Sequence, residues 1–140
     1  DGNIFKMKIT SIITCGAIYG LTFFSNSQEE LTKSMARGKE LYKESCITCH
    51  LANGEGVKGT FPPLAKADFL SKYPEKSIRA IKFGMSGAIK VNGVAYNNAM
   101  PPSGFADDEI ADVMNYIRNS FGNKNTQPVT EKMVAAVKEK

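Results

Sequence analysis

The 140-residue chain contains no tryptophan, a single histidine and only three cysteines. This scarcity limits metal chemistry, because a structural zinc site needs four ligands that are usually cysteine or histidine. Cys46, Cys49 and His50 supply at most three, and the remaining cysteine, Cys15, lies in an apolar segment near the start. The sequence therefore argues against a structural zinc site. The chain has no tryptophan and eight phenylalanines, so a large buried cofactor would help to fill its interior.

The chain also lacks internal repeats, low-complexity tracts and any convincing strand of alternating apolar residues. Its 42% hydrophobic and 23% charged residues are typical of one small globular domain. Apolar spacings of three and four residues are typical of helices, and Gly- and Pro-rich stretches separate them. We therefore predict an all-α fold with two long loops. The helices are predicted over residues 28–50, 67–73 and 74–84, with a last helix that Asp107 caps and Gly122 ends.

No apolar run reaches the roughly 20 residues of a bilayer span. The run Ile9–Phe24 has sixteen residues, follows a lysine and ends before small residues, as in a cleavable export signal. We expect residues 1–27 to be a signal peptide, residues 28–125 to form the domain, and residues 126–140 to be a tail that is frayed or a short helix. Two alternatives remain open: lipidation of Cys15, and retention of residues 1–27 as a membrane anchor.

Acidic residues are scarce in the middle of the chain. From Leu31 to Phe105 there are eleven lysines and arginines against five acidic residues. Such a surface is either simply solvated or attracts acidic partners, nucleic acid or anionic membrane. Nucleic acid is disfavoured, because the lysines are scattered and no aromatic-interleaved RNA-binding motif is present. The basic face, a predicted docking surface for redox partners, consists of Lys66, Lys72, Lys76, Arg79 and Lys82.

The only histidine directly follows two cysteines, in the run Cys46-Ile47-Thr48-Cys49-His50. A thioredoxin-like dithiol follows a strand, whereas a predicted helix precedes this pair. A disulfide across three residues would be strained and would close no long loop. The pattern C-x-x-C-H is instead typical of covalent haem attachment, with thioethers to both cysteines and the histidine as proximal iron ligand. The sequence therefore predicts haem c on Cys46 and Cys49, with His50 bound to the iron.

With this motif, the chain resembles the class I c-type cytochromes, especially the bacterial monohaem domains, from about Met35 to Asn123. The run GKELYKESCITCH is similar to the first helix of that family, in which Gly38 and Tyr42 would pack against the last helix. The run DDEIADVMNYIRNSFGN is similar to that last helix. The resemblance implies about four helices around one covalently bound haem. The contacts expected on the last helix are Val113, Tyr116 or Ile117.

Two loops carry the rest of the resemblance. FPPLA resembles the loop in which a proline carbonyl accepts the ring N–H of the proximal histidine, and its position before Leu64 assigns this role to Pro62. NNAMPP resembles the distal methionine loop, which implies Met100 as the second axial ligand. The tail after Asn125 is not covered by the family pattern.

Met85 competes with Met100 for the sixth position on the iron, because both lie in loops that could wrap the distal side. Pro101 and Pro102 follow Met100, remove two amide donors and stiffen the chain, which helps to hold a weakly bound sulfur. Met85 lies between glycines and has no such support. Loop stiffness and the family pattern together favour Met100.

Two permanent ligands leave no open position on the iron, so the expected activity is electron transfer rather than catalysis. We expect a periplasmic carrier between a dehydrogenase or reductase donor and a terminal oxidase or reductase acceptor. Two alternatives are a membrane-tethered haem subunit of a larger oxidoreductase complex, and a haem enzyme or gas sensor with an open sixth site.

Overall fold

The structure, a computed structural model, describes residues 27–125 and 127–139. The predicted export signal, residues 1–27, lies outside this part of the chain except for Ser27. Of the residues that the structure describes, 27–33 belong to one unit of the chain and those from 34 onward to a second, compact unit. In the first unit, residues 27–33 are helical, and Lys33 forms an ion pair with Glu29 at 2.8 Å. None of the helices in the described residues is both long and apolar enough to cross a bilayer.

The predicted all-α class is confirmed by a fold built mainly of helices. The three helices predicted after the cysteine motif are present within a few residues of their expected bounds. Asp107 was predicted to cap the last helix, but it is the first residue of that helix, and Ala106 takes the cap position. The amide of Ala106 donates to the Glu109 side chain at 2.9 Å. The helix also ends four residues before Gly122. The helices are α1 over 27–45, α2 Ile47–His50, α3 Asp68–Lys72, α4 Pro74–Phe83, α5 Asp107–Arg118 and α6 Glu131–Ala136.

A small β-hairpin interrupts the helices, where the sequence predicted no strand. Strands β1, Ile89–Val91, and β2, Val94–Tyr96, are antiparallel and joined by Asn92-Gly93. Both turn residues have positive φ, 50° and 81°, as the tight turns favoured in hairpins require. Asn-Gly between apolar residues is the sequence signal that identifies this turn. The hairpin buries Val91 and Tyr96 and gives one wall to the cavity described below.

Helices α1 and α5 cross in close contact at Gly38, as predicted. A Cβ on Gly38 would overlap the backbone carbonyl of Asp112 and lie 2.9 Å from the amide nitrogen of Val113. The ring of Tyr42 packs beside Tyr116, with centroids 5.5 Å apart. This crossing fixes where α1 ends and therefore where the cysteine motif lies.

The described part of the tail contains the short helix α6, which agrees with the helical alternative for this segment rather than with a frayed one. Val134 of α6 is completely buried, and Val129 and Val137 are nearly so. The Asn115 side chain on α5 accepts from the Val129 amide at 2.7 Å and donates to its carbonyl at 2.9 Å. The Asn115 side chain thus satisfies both backbone groups of Val129, in a long-range contact that local periodicity does not reveal.

Candidate functional site

The cysteine motif lies on a short helical turn that directly follows α1. Cys46 interrupts the helix, but its amide still donates to the carbonyl of Tyr42 at 2.9 Å, and the amide of His50 donates to Cys46 at 3.0 Å. This i to i+4 bonding keeps the motif helical and brings Cys46, Cys49 and His50 to neighbouring positions. Both cysteines are half-buried. Burial, and secondarily Cys49, raises the pKa of the Cys46 thiol to about 11.

His50 is held by the backbone carbonyl of Pro62. Its Nδ1 lies 2.9 Å from that oxygen, and because a carbonyl only accepts, Nδ1 carries the proton and donates. His50 is 8% exposed, and this burial lowers the pKa of His50, an effect that the Pro62 contact partly opposes. The histidine is therefore neutral at pH 7, with the Nε2 lone pair available to a metal ion.

The loop between His50 and α3 folds so that Pro62 reaches the histidine. The amide of Gly56 donates to the His50 carbonyl at 3.0 Å, and the carbonyl of Gly54 accepts from Leu64 at 2.7 Å. Gly56 has φ of 62°, and a Cβ there would lie 2.7 Å from the Pro62 oxygen. Only glycine allows the backbone to approach this closely. The position of the Pro62 carbonyl is therefore set by backbone contacts.

An apolar cavity lies beside the motif, and we call it the haem cavity. It contains about 630 Å³ of space not filled by atoms, its open mouth included. Helices α4 and α5 and the β-hairpin give its apolar walls, which include Ile81, Ile89 and Val113. The predicted site residues that line it are Cys46, His50, Pro62 and Met100, and a smaller adjoining cavity adds Cys49.

Met85 and Met100 lie side by side on the wall of the haem cavity. The amide of Met85 donates to Met100 at 2.9 Å, and the amide of Met100 donates to Met85 at 2.8 Å, in an antiparallel bridge. Met100 packs against the hydrophobic core, whereas Met85 is not among the core-packed side chains. The pairing of the two methionines was not anticipated from the sequence. It explains why both loops are candidates for the same iron position.

The haem cavity fits a covalently attached haem. Its lining is almost entirely apolar, as a large hydrophobic macrocycle requires, and two thiols three residues apart lie at its edge. A neutral imidazole with a fixed ring and a thioether sulfur are donors suited to haem iron. The chemistry of the donor set and the shape of the cavity therefore agree.

Much of the basic face is already paired with acidic residues. Lys72 contacts Asp68 at 2.9 Å, Arg79 contacts Glu75 at 3.0 Å and Lys82 contacts Asp107 at 2.7 Å. In the described part of the chain, Lys66 and Lys76 form no ion pair. Lys76 instead lies 4.7 Å from the centre of the exposed Tyr73 ring. The free positive charge of the basic face is thus smaller than its five residues indicate.

A mainly helical fold in which C-x-x-C-H borders an apolar cavity defines a haem protein. A sequence profile of the cytochrome c family matches residues 35–121. Cytochrome c-552 of Thermus thermophilus is 37% identical over 121 residues, which cover 79% of this chain and 80% of that protein. The cytochrome c subunit of the quinone alcohol dehydrogenase of Gluconobacter oxydans is 34% identical over 90 residues, which cover 61% of this chain and 18% of that protein.

A further relative is the gluconate 2-dehydrogenase cytochrome c subunit of Pantoea cypripedii, which is 30% identical over 105 residues, 72% of this chain and 24% of that protein. The family profile covers more than half of this chain, and the Thermus protein is matched over most of its length. The chain belongs to the cytochrome c family, as a class I monohaem member. It is an electron-transfer protein that carries covalently bound haem c and reacts with redox partner proteins.

Proposed function

We propose that the chain is an exported single-electron carrier in which His50 and Met100 are the axial ligands of a haem held by Cys46 and Cys49. The observation that carries this proposal is that His50 and Met100 line one apolar cavity while separate backbone contacts fix each of them. When bound, the haem supplies a one-electron couple between ferric and ferrous iron. The residues of the chain hold it, tune it and exclude water from it.

Pro62 would act on the iron of a bound haem through its contact with His50. A hydrogen bond from Nδ1–H to a carbonyl fixes the tautomer and ring orientation and raises the basicity of Nε2 as a ligand. The close backbone approach at Gly56 holds the Pro62 carbonyl in place, so the imidazole would keep one orientation toward a bound haem. Rigid ligation of this kind suits electron transfer, because little structural rearrangement accompanies each electron.

Three contacts favour Met100 over Met85 as the sulfur ligand. Ser103 donates through its amide to the Ile81 carbonyl at 2.9 Å, just after the two prolines. On the other side of Met100, the Asn98 side chain donates to the Thr60 carbonyl at 3.0 Å. The Met100 side chain also packs against the core. A thioether is a weak ligand, so a loop fixed on both sides suits Met100 for the role. Methionine together with histidine raises the reduction potential.

The proposed role is that of a carrier rather than an enzyme, because His50 and Met100 together would leave the iron of a bound haem no open position. Its partners would be a dehydrogenase or reductase as donor and a terminal oxidase or reductase as acceptor. Residues 28–125 would form the cytochrome domain, with residues 126–140 as its tail. The export signal at residues 1–27 would place the domain in the periplasm, where C-x-x-C-H cysteines receive their haem.

A second candidate function is a tethered haem subunit of a larger oxidoreductase, with residues 1–27 retained as an anchor. It is favoured by the relatives that are cytochrome c subunits of alcohol and gluconate dehydrogenases. The chain spans only 18–24% of those subunits. N-terminal sequencing of the protein isolated from its host separates the two candidates. A start at Gln28 supports the exported carrier, and a start upstream of Ile9 in the membrane fraction supports the tethered subunit.

Covalent attachment is tested by mass and by extraction. Intact mass spectrometry of the purified protein should show the mature polypeptide plus one haem, and the colour should remain with the protein after acid–acetone extraction. Cys46→Ala and Cys49→Ala should each leave a single thioether, and the double variant should lose its haem to the solvent. Haem that is extracted from the wild-type protein would contradict attachment through these cysteines.

A further inference from the structure

A polar cavity lies behind the haem cavity, with which it shares Ala67 and Leu70. We call it the Arg118 cavity, and it contains about 570 Å³ of space not filled by atoms, its open mouth included. It lies between the segment that enters α3 and the turn that follows α5. Polar and charged side chains form much of its lining, unlike the haem cavity, and none of the proposed haem ligands belongs to it.

Arg118 is the most deeply buried charge in this lining, with 9% of its surface exposed. Its Nε is buried and makes no hydrogen bond, and Nη1 reaches the carbonyl of Gln127 only at 3.4 Å. Arg118 forms no ion pair with any residue that the structure describes. Burial accordingly lowers the pKa of Arg118. A buried guanidinium without a carboxylate partner is costly, so the position calls for an anion that the chain itself does not provide.

Two further cations lie at the same cavity. The aliphatic part of Lys66 lies over Gly122, where an added Cβ would be 2.9 Å from the lysine Cε. Lys124 follows two residues later, and neither lysine has an acidic partner within the described residues. The one acid in the lining, Asp68, accepts from Lys72 at 2.9 Å and from the Asn92 amide at 2.7 Å. Its carboxylate is therefore already engaged.

We infer that the Arg118 cavity binds a small free oxyanion of the phosphate or carboxylate class. The planar guanidinium presents N–H donors in a geometry that matches such oxygens, and Nε is the donor that the chain leaves unused. Lys66 and Lys124 neutralise the remaining charge of the ion at the mouth of the cavity. This site is separate from the electron-transfer function, because none of its charged residues is a proposed haem ligand.

The inference is tested by isothermal titration of the ferric holoprotein with sodium phosphate and, separately, with sodium acetate. Sodium chloride holds the ionic strength constant, so that general screening does not change during the titration. We expect saturable binding of one ion per chain for phosphate, for acetate or for both. Which of the two ions binds shows whether the site takes phosphates, carboxylates or both. Arg118→Gln should weaken binding about tenfold, the loss of one charge-assisted hydrogen bond. Lys66→Gln and Lys124→Gln should each weaken it about threefold.

Lys76→Gln is the matched control, because it removes one exposed positive charge from the basic face away from the cavity. It should leave the affinity unchanged. Should Arg118→Gln fail to fold, the two lysine variants still decide the matter, since their side chains are exposed. The inference is overturned if the wild-type holoprotein shows no saturable binding of either ion. A haem carboxylate that fills the cavity would give this result. It is also overturned if Lys66→Gln and Lys124→Gln bind the ion with the same affinity as the control Lys76→Gln.

Discussion

Met85 and Met100 face each other across an antiparallel bridge in which each amide donates to the carbonyl of the other. The bridge depends on Gly84, because a Cβ there would lie 2.7 Å from the Met100 carbonyl oxygen and 3.0 Å from Pro102. Pro101 and Pro102 stiffen the Met100 loop, and the backbone contacts of the bridge therefore also restrain the Met85 loop. In the proposed site, Met85 supports the loop of the ligand rather than competing with it.

Gly84→Ala should separate the two loops while the haem stays attached through Cys46 and Cys49. The new methyl group would meet backbone atoms, so we expect a loss of about 1–3 kcal/mol in the free energy of unfolding. The reduction potential should also fall, because a displaced Met100 binds the iron less well. Chemical denaturation and protein-film voltammetry measure the two effects.

Gly87→Ala is the control for this prediction. Gly87 also has positive φ, 96°, but an added Cβ there would meet no atom within 4 Å. The two variants share the cost of placing alanine in the left-handed region, and they differ in the clash with the Met100 loop. Equal potentials and equal stabilities in both variants would mean that the bridge does not support the methionine ligand.

Gly38→Ala tests the crossing of α1 and α5. Alanine is favoured over glycine in a helix interior by about 0.5–1 kcal/mol. Here the added Cβ would overlap the backbone carbonyl of Asp112, which cannot move without moving α5. Overpacking costs about 1–3 kcal/mol, so we expect net destabilisation in urea or thermal unfolding. Lys39→Ala, at an exposed position of the same helix, should change stability by less than about 0.5 kcal/mol. A stabilised Gly38→Ala protein would disprove the close crossing.

Asn115→Ala should release the tail from α5. The substitution leaves the amide and the carbonyl of Val129 without their partner, and an unsatisfied buried polar group costs about 1–3 kcal/mol. We expect faster hydrogen exchange at Val129 and through α6, together with a lower unfolding midpoint. Gln127→Ala, an exposed change in the same segment, should do neither. Unchanged exchange in the Asn115 variant would mean that α6 is held by its apolar residues alone.

Local patterns were sufficient to predict the helices and the cysteine motif, whereas the packing of Gly38 against α5 was an implication of the resemblance to the class I cytochromes. The same resemblance, with the position of Pro62 before Leu64, implied the contact with His50 that the structure contains. The helices depend on short-range periodicity, and the cysteine motif has a narrow chemistry. The hairpin was missed because its strands have only three residues each, although Asn92-Gly93 is a specific turn signal.

Long-range contacts between polar groups could not be predicted. Nothing in the local sequence indicates that Asn115 bonds the backbone of Val129 on both sides, or that Met85 pairs with Met100. Of the ion pairs on the basic face, Lys72–Asp68 and Arg79–Glu75 each join residues four apart on one helix, whereas Lys82–Asp107 joins residues that are distant in sequence. Charge counts describe a segment, whereas the surface potential depends on which charges meet after folding.

Electrostatic steering by the basic face should be weak but measurable. We expect the second-order rate of electron transfer to an acidic redox partner to fall as ionic strength rises. Lys76→Gln should reduce the low-salt rate, because Lys76 has no acidic partner among the described residues. Lys43→Gln, on α1 outside the basic face, is the control of equal charge and should have a smaller effect. Stopped-flow rates that do not depend on ionic strength would leave the basic face as a solvated surface only.

The axial role of Met100 is tested most directly by spectra of three proteins: wild type, Met100→Ala and Met85→Ala. The ferric wild-type protein should show the weak near-infrared charge-transfer band of methionine ligation, and its ferrous form should not bind carbon monoxide readily. Met100→Ala should lose the band, lower the reduction potential and open the ferrous iron to carbon monoxide, whereas Met85→Ala should keep the wild-type spectrum. Loss of the band in Met85→Ala alone, or rapid carbon monoxide binding by the wild-type protein, would contradict His50 and Met100 as the axial pair.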